Sequence, residues 1–239
     1  LTSSTEQDTA KTENSNDAKE NRTYSLDTLP LEFPTFGTGD YRDTCLEIID
    51  ENGANACELK YRSYKIISGK TKLYGLPCLI ADEKQCDTLQ IVLSDEHLNL
   101  DVILQYSIFE EYDVITRNVK VINHDIKDRT IQRVLSSCLD LYQPKAYDLI
   151  TFYGRYASER TFQREAVSHG KKRIESTRGA SSLHYNPSLI LCEKETNETS
   201  GKCYGFTFVY SGNFLIEIEK DQIDQIRTVI GINPQNFRW

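Results

Sequence analysis

The chain reads as an all-β protein, an antiparallel β-sandwich of large packed sheets with at most one or two short helices, and three observations carry that reading. Leu98, Leu100, Val102, Leu104, Tyr106 and Ile108 hold a period of two over eleven residues, which marks a long half-buried strand. Shorter runs with the same alternation follow one another at turn-length separations. No segment carries a 3.6-residue apolar stripe over three turns, so helices do not interleave with strands and an α/β architecture is excluded.

Taken in order, residues 1–21 (LTSSTEQDTAKTENSNDAKEN) hold one leucine and no aromatic, too little apolar surface to offset the entropy of ordering. A mobile polar arm or loop is expected there, with one domain over residues 22–239. Residues 22–42 carry Tyr24, Leu26, Leu29, Leu31, Phe33 and Phe36, with prolines at 30 and 34. The prolines fix φ and remove donors, so this segment is extended and lies across a sheet rather than inside one. Cys45 to Ile49, the turn at Asn52-Gly53 and Cys57 to Ile67 read as a hairpin, since Asn-Gly supplies positive φ.

Leu89 to Leu93, Leu98 to Phe109 and Val114 to Ile122 follow as strands, then the polar turn NHDIKD (123–128) and a strand over Thr130 to Leu141. Leu149 to Tyr153 is another strand, and Ser158 to Ala166 is the candidate for a short helix. Tyr204 to Tyr210, the turn Ser211-Gly212-Asn213 and Phe214 to Glu219 read as a second hairpin, closed by Thr228 to Ile232. No repeat of 20 to 50 residues recurs. The pattern breaks off at NPQNFRW, which reads as a cut from something longer.

A chain of 239 residues can form one large sandwich and bury a substantial core. A net charge of −8 without a basic block steers away from nucleic acid. No apolar run approaches a membrane span, and no secretory signal opens the chain, so a soluble protein is expected. The seven cysteines include no C-x-x-C pair, which argues against zinc and for free thiols in a reducing cytoplasm. No metal or cofactor is expected.

Familiar catalytic signatures fail on spacing. Ser68-Gly69-Lys70-Thr71 resembles the end of a P-loop, but Tyr64 stands where its first glycine is required. Gly179-Ala180-Ser181-Ser182-Leu183 lacks the closing glycine of a nucleophile elbow. His184 beside Ser182 has no identifiable third partner, and a surface histidine making hydrogen bonds is the plainer reading. The polar chemistry concentrates instead in residues 147–187, which hold two of the four histidines, six aromatics and three glycines among many arginines. Such a stretch between regular strands reads as a recognition surface on a rigid sheet, or more plainly as a solvated connection whose arginines pair with Glu159, Glu165 and Glu175.

Six motifs in order, RTYSLDTLPLEFPTFGTGDYR (22–42), GLPCL (75–79), YDLITFYGRYASER (147–160), RGASSLHYNP (178–187), YGFTFVYSGNFL (204–215) and IGINPQNFRW (230–239), resemble the N-terminal domain of microbial family-36 α-galactosidases, the melibiases. The resemblance implies a β-supersandwich accessory domain of a retaining glycosidase that removes terminal α-linked galactose from melibiose and raffinose-type oligosaccharides. It places both catalytic aspartates in a (β/α)₈ barrel outside this chain, so the chain alone is expected to be inactive.

In tetrameric members this domain lines the sugar pocket of a neighbouring subunit. Within the family's Gly-Arg-x-Ala motif the resemblance therefore implies substrate contact by Tyr156, where His or Trp is common, supported by Arg155, Arg160 and Arg22. It also implies a contacting aspartate upstream of Arg22, for which Asp8 and Asp17 are the candidates, Asp8 the one chosen. The implied partners are an α-galactoside, the domain's own barrel and copies of itself in a cytoplasmic tetramer. Two other readings stand beside it. One is a self-sufficient, lectin-like carbohydrate-binding sandwich, and the other is a purely structural domain whose arginines make subunit contacts.

Overall fold

The computed structural model describes residues 25–70, 72–142 and 146–236. Among these residues the chain forms thirteen strands: β1 (Leu46–Ile49), β2 (Lys60–Ser68), β3 (Asp87–Asp95), β4 (Leu100–Phe109), β5 (Val114–Asn123), β6 (Thr130–Leu141), β7 (Tyr147–Arg155), β8 (Ser158–Ala166), β9 (Gly170–Glu175), β10 (Tyr185–Glu193), β11 (Cys203–Thr207), β12 (Phe214–Lys220) and β13 (Ile226–Ile232). The helical segments among them are three-residue 3₁₀ turns at Leu26–Thr28, Glu110–Tyr112 and Pro234–Asn236. The all-β antiparallel sandwich read from the sequence is what the chain forms, and its strands divide among three sheets.

The central sheet has the order β1-β6-β13-β12-β9, and it is flanked by β11-β10-β7-β8 and by β2-β3-β4-β5. Each flanking sheet closes its own core. Ile174, Phe214, Ile216, Ile218, Ile226 and Ile230 of the central sheet pack on Tyr147, Leu149, Leu189 and Leu191. Leu46 and Ile48, with Ile131 and Val134, pack on Leu100, Val102 and Leu104 of the other flank. Burying these side chains stabilises each interface by roughly 1.5–3 kcal/mol per residue. The two flanks therefore stand on one rigid scaffold.

Three local readings are corrected. The Asn52-Gly53 turn closes on itself through the Asp50 amide to the Ala54 carbonyl at 2.9 Å, but β1 pairs with β6 and β2 with β3, so no hairpin joins β1 to β2. Likewise β11 pairs with β10 while β12 pairs with β9 and β13. The turn at 211–213 carries the chain between sheets, because Phe214, Leu215 and Ile216 find full burial only in the central one. Ser158 to Ala166 is strand β8 and not a helix, held in register along β7 from Asp148↔Ala166 to Tyr153↔Thr161. Its largely exposed side chains supply no apolar stripe, so pairing with β7 decides its conformation.

Segment 25–44 lies against the central sheet as the prolines implied, and buried charges hold it there. Arg227, 1% exposed, binds both oxygens of Asp140 at 2.8 and 2.7 Å and one oxygen of Asp40 at 2.7 Å. Arg42 donates to Asp40 at 2.9 Å, to Gln225 at 2.9 Å and to the Leu29 carbonyl at 2.6 Å. Burial works against the Asp40 carboxylate, but the Arg42 hydrogen bonds and the Arg227 charge outweigh it and hold its pKa below the usual carboxylate range. The amide of Leu31 donates to Asp140 at 2.9 Å. This network fixes the path of the first motif from Ser25 onward.

Candidate functional site

Strands β7 and β8 meet in a two-residue turn, Tyr156-Ala157, with Arg155 opposite Ser158. Ala157 takes φ of 61° and Arg160 φ of 53°, left-handed values that a non-glycine residue adopts at some cost. The register shifts between Tyr153 and Arg155, so Glu159 and Arg160 crowd opposite Gly154. A Cβ on Gly154 would stand 2.6 Å from the Ser158 carbonyl oxygen and 2.9 Å from the Glu159 Cα. Only glycine permits that approach. Its amide also donates to the His184 carbonyl at 3.2 Å, which ties the turn to the start of β10.

The result is a stiff projecting tip. Tyr156 is 88% exposed, so local packing does not explain the ring. Arg155 and Arg160 are exposed as well. Glu159 accepts the Ala157 amide at 3.1 Å, and among the described residues neither arginine forms an ion pair with it.

Below the tip opens a cleft of about 680 Å³ lined by Glu159, Arg160, Arg178, Ser181, Ser182, Leu183, His184 and Asn186. The loop that forms its far wall is moored at several points. Ser176 donates to the Ala180 carbonyl at 2.5 Å, the Gly179 amide to Asn213 at 2.6 Å, and the Ser181 amide to the Ser211 carbonyl at 2.8 Å. Gly179 has φ of +81°, the value that lets the loop reverse. Buried Asn233 donates to Glu175 at 2.7 Å, anchoring the end of β13 at the root of the same loop.

Ser182 and His184 do meet, Oγ to Nδ1 at 3.1 Å, but the same Oγ accepts the His184 amide at 3.1 Å. Such a pair closes a local turn, and among the described residues no carboxylate orients the imidazole. Among the described residues Glu159 is the one carboxylate lining the cleft. Two guanidinium groups, two hydroxyls, an amide and an imidazole on an open surface suit hydrogen bonding to a hydroxyl-rich ligand. Among the described residues no group of three His, Cys, Asp or Glu side chains is placed to hold a metal ion.

The structure thus brings Arg160 into the cleft, sets Tyr156 and Arg155 on the tip above it, and leaves Asp8, Asp17 and Arg22 outside the described residues. Arg178 and Asn186 were not singled out from the sequence, and Ser181 was considered only as the serine of an incomplete nucleophile elbow. The motif RGASSLHYNP that contains them was the available signal.

Comparison with known proteins extends this description. The model of the glycosyl hydrolase family 36 N-terminal domain matches residues 1–239. The bifunctional alpha-galactosidase/sucrose kinase AgaSK of Mediterraneibacter gnavus is 48% identical over 218 residues, 91% of this chain and 23% of that protein. Alpha-galactosidase AgaA of Geobacillus stearothermophilus is 41% identical over 219 residues, 91% of this chain and 30% of that protein. A solved structure of an AgaA variant in complex with raffinose superposes with a TM-score of 0.89 at 40% identity, covering 92% of this chain and 31% of that one. The chain therefore spans less than a third of the length of these relatives.

Proposed function

The chain belongs to the glycosyl hydrolase family 36 N-terminal domain family, and from that premise we propose that it is the non-catalytic N-terminal domain of a cytoplasmic α-galactosidase acting on melibiose and raffinose-type oligosaccharides. In this role it completes the substrate pocket of a neighbouring subunit in a homo-oligomer, a tetramer by resemblance, and needs no cofactor. The observation that carries the reading is the tip itself, where Tyr156 stands 88% exposed on a turn that Gly154 and the left-handed Ala157 make rigid. An aromatic ring so held can cover the apolar face of a galactose while its hydroxyl bonds a sugar oxygen. The cleft below supplies further donors, including Arg160. In this reading the two carboxyl groups about 5–5.5 Å apart that retaining hydrolysis requires belong to the catalytic barrel, and the cleft of this domain contributes binding.

A chimera tests the proposal. Residues 25–236 would replace the matching segment of Geobacillus stearothermophilus AgaA, and the product would be assayed on an aryl α-galactoside and by sedimentation. The expected result is an active oligomer, with no turnover from the present chain alone. A folded, monomeric chimera of undiminished activity overturns the contribution in trans, and turnover by the isolated chain that survives repurification overturns the non-catalytic role. Galactose binding by the isolated chain would point to a self-sufficient carbohydrate-binding module.

A further inference from the structure

The sheet that carries the Tyr156 tip holds a pair of facing cysteines on the side away from the tip, one of them on edge strand β11. Cys192 of β10 and Cys203 of β11 are direct cross-strand partners. The backbone bonds flanking them settle which kind of partner they are. The Glu193 amide donates to the Lys202 carbonyl at 3.1 Å and the Phe208 amide to the Pro187 carbonyl at 2.8 Å. In an antiparallel ladder, hydrogen-bonded and non-hydrogen-bonded pairs alternate. Glu193/Lys202 and Phe208/Pro187 are therefore hydrogen-bonded pairs, and Cys192/Cys203, one step from the first, is a non-hydrogen-bonded one. At such a position opposing Cα atoms stand about 4.5 Å apart with both side chains on one face, inside the range of about 4.4–6.8 Å that a disulfide spans.

The two thiols differ in environment as an exchange pair requires. Cys203 is exposed, and Cys192 is 1% exposed. Arg164 explains the covering of Cys192. From β8 it binds Asp148 at 2.7 Å and the carbonyls of Lys194 and Thr196 at 2.8 Å each, which lays its side chain across the face that Cys192 shares with its β7 partner Asp148. Burial pushes the Cys192 thiol up, and the Arg164 charge opposes that shift. The other cysteines lack this combination. Cys45 and Cys138 are neighbours in the core, but both are buried, at 0% and 1% exposure, so neither sulfur can meet an oxidant first. Cys57 is buried with its thiol pushed up to about 12.

We propose that Cys192 and Cys203 form a reversible cross-strand disulfide with a low-molecular-weight disulfide, such as oxidised glutathione, as the oxidant. The Cys203 thiolate attacks one sulfur of the small disulfide, breaking its S–S bond and releasing one thiolate, which takes a proton from solvent. Cys192 then gives its proton to solvent and attacks the Cys203 sulfur from within the sheet, expelling the second small thiolate. Two protein thiols are oxidised and one disulfide is reduced to two thiols. The second attack does not need the small disulfide to reach Cys192, which is why a buried partner serves. The bond locks edge strand β11 to β10 and closes the turn between them.

The test is oxidation of the intact chain by glutathione disulfide, followed by alkylation in guanidinium and digestion with trypsin without reduction. Free thiols should fall from seven to five. One new species should join peptide 179–194 to peptide 203–220, lighter than their sum by two hydrogens, and dithiothreitol should restore all seven thiols. The thermal midpoint of the oxidised form should rise. Cys203→Ser, a change at an exposed position, should abolish the species, and Cys78→Ser should not. Seven free thiols at full oxidant excess, a lasting glutathione adduct on Cys203 with Cys192 alkylated, a Cys45–Cys138 crosslink or a dimer bridged through Cys203 would each overturn the assignment.

Discussion

Tyr156 and Gly154 sit two residues apart and separate two kinds of contribution. Because Tyr156 is almost fully exposed, Tyr156→Ala removes no packing. In the AgaA chimera it should lower kcat/KM by about 5- to 150-fold, the equivalent of roughly 1–3 kcal/mol of transition-state stabilisation, while the thermal midpoint stays put. An unchanged kcat/KM with a lower midpoint would make Tyr156 a packing residue. Gly154→Ala should behave in the opposite order. Its Cβ meets backbone atoms at 2.6 and 2.9 Å, so the strands must part at a cost of about 1–3 kcal/mol. Calorimetry should show a midpoint lowered by roughly 2–10 °C, and activity should fall through displacement of the tip.

At the scale of elements, the polar cluster between segment 25–44 and the central sheet is the largest investment of buried charge. Arg227→Met would leave Asp140 buried without its main partner and Asp40 with Arg42 alone, and breaking a buried pair typically costs about 3–5 kcal/mol. Denaturant titration should show that loss, and proteolysis should release the segment. The pH dependence follows from Asp40, whose folded pKa lies below its unfolded value of 3.8. Below that value the unfolded chain binds more protons than the folded one, so stability falls as pH falls. The Asp40 contribution is complete above about pH 4 and drains away as pH drops through the folded pKa. Melting from pH 6 to 3 should show a decline below about pH 4 that Asp40→Asn reduces. A variant slope equal to that of the wild type would remove Asp40 from the account.

Across the whole molecule, the flanking sheet β2-β3-β4-β5 leaves part of its apolar face uncovered. Ile108 pairs with Ile115, in line with Val102 and Leu104, which are buried at 0% and 3%. Yet Ile108 and Ile115 are 48% and 61% exposed, and on the edge strand β2, beyond β3, Tyr64 and Ile66 are 63% and 67% exposed. Exposed apolar side chains on one face of a sheet suit contact with another protein domain, which the proposed oligomer would supply. In the chimera Ile115→Lys should shift sedimentation toward smaller species, and it should leave the fold of the isolated chain intact because the residue is already exposed there.

Period-two alternation in Leu98–Phe109 and Val114–Ile122 was legible in the sequence because burial of one sheet face repeats every second residue along a strand. Pro30 and Pro34 likewise announced an extended segment, since a fixed φ and a missing amide act locally. The tip at Gly154-Arg155-Tyr156-Ala157 was located through its motif, and its exposure and rigidity then came from the bulge. What the sequence left undecided was long-range. The Asn52-Gly53 and Ser211-Gly212-Asn213 turns are real, yet the strands they join belong to different sheets, because each strand pairs where its apolar face finds cover. Ser158–Ala166 became a strand through its register on β7. The convergence of Arg178, Ser181 and Asn186 on Arg160, and the meeting of Cys192 with Cys203, likewise arise only once β7, β8, β10 and β11 align. The local chain can state which residues favour a strand or a turn, but partner choice is a competition among distant surfaces for burial and hydrogen bonds, and only the folded molecule resolves it.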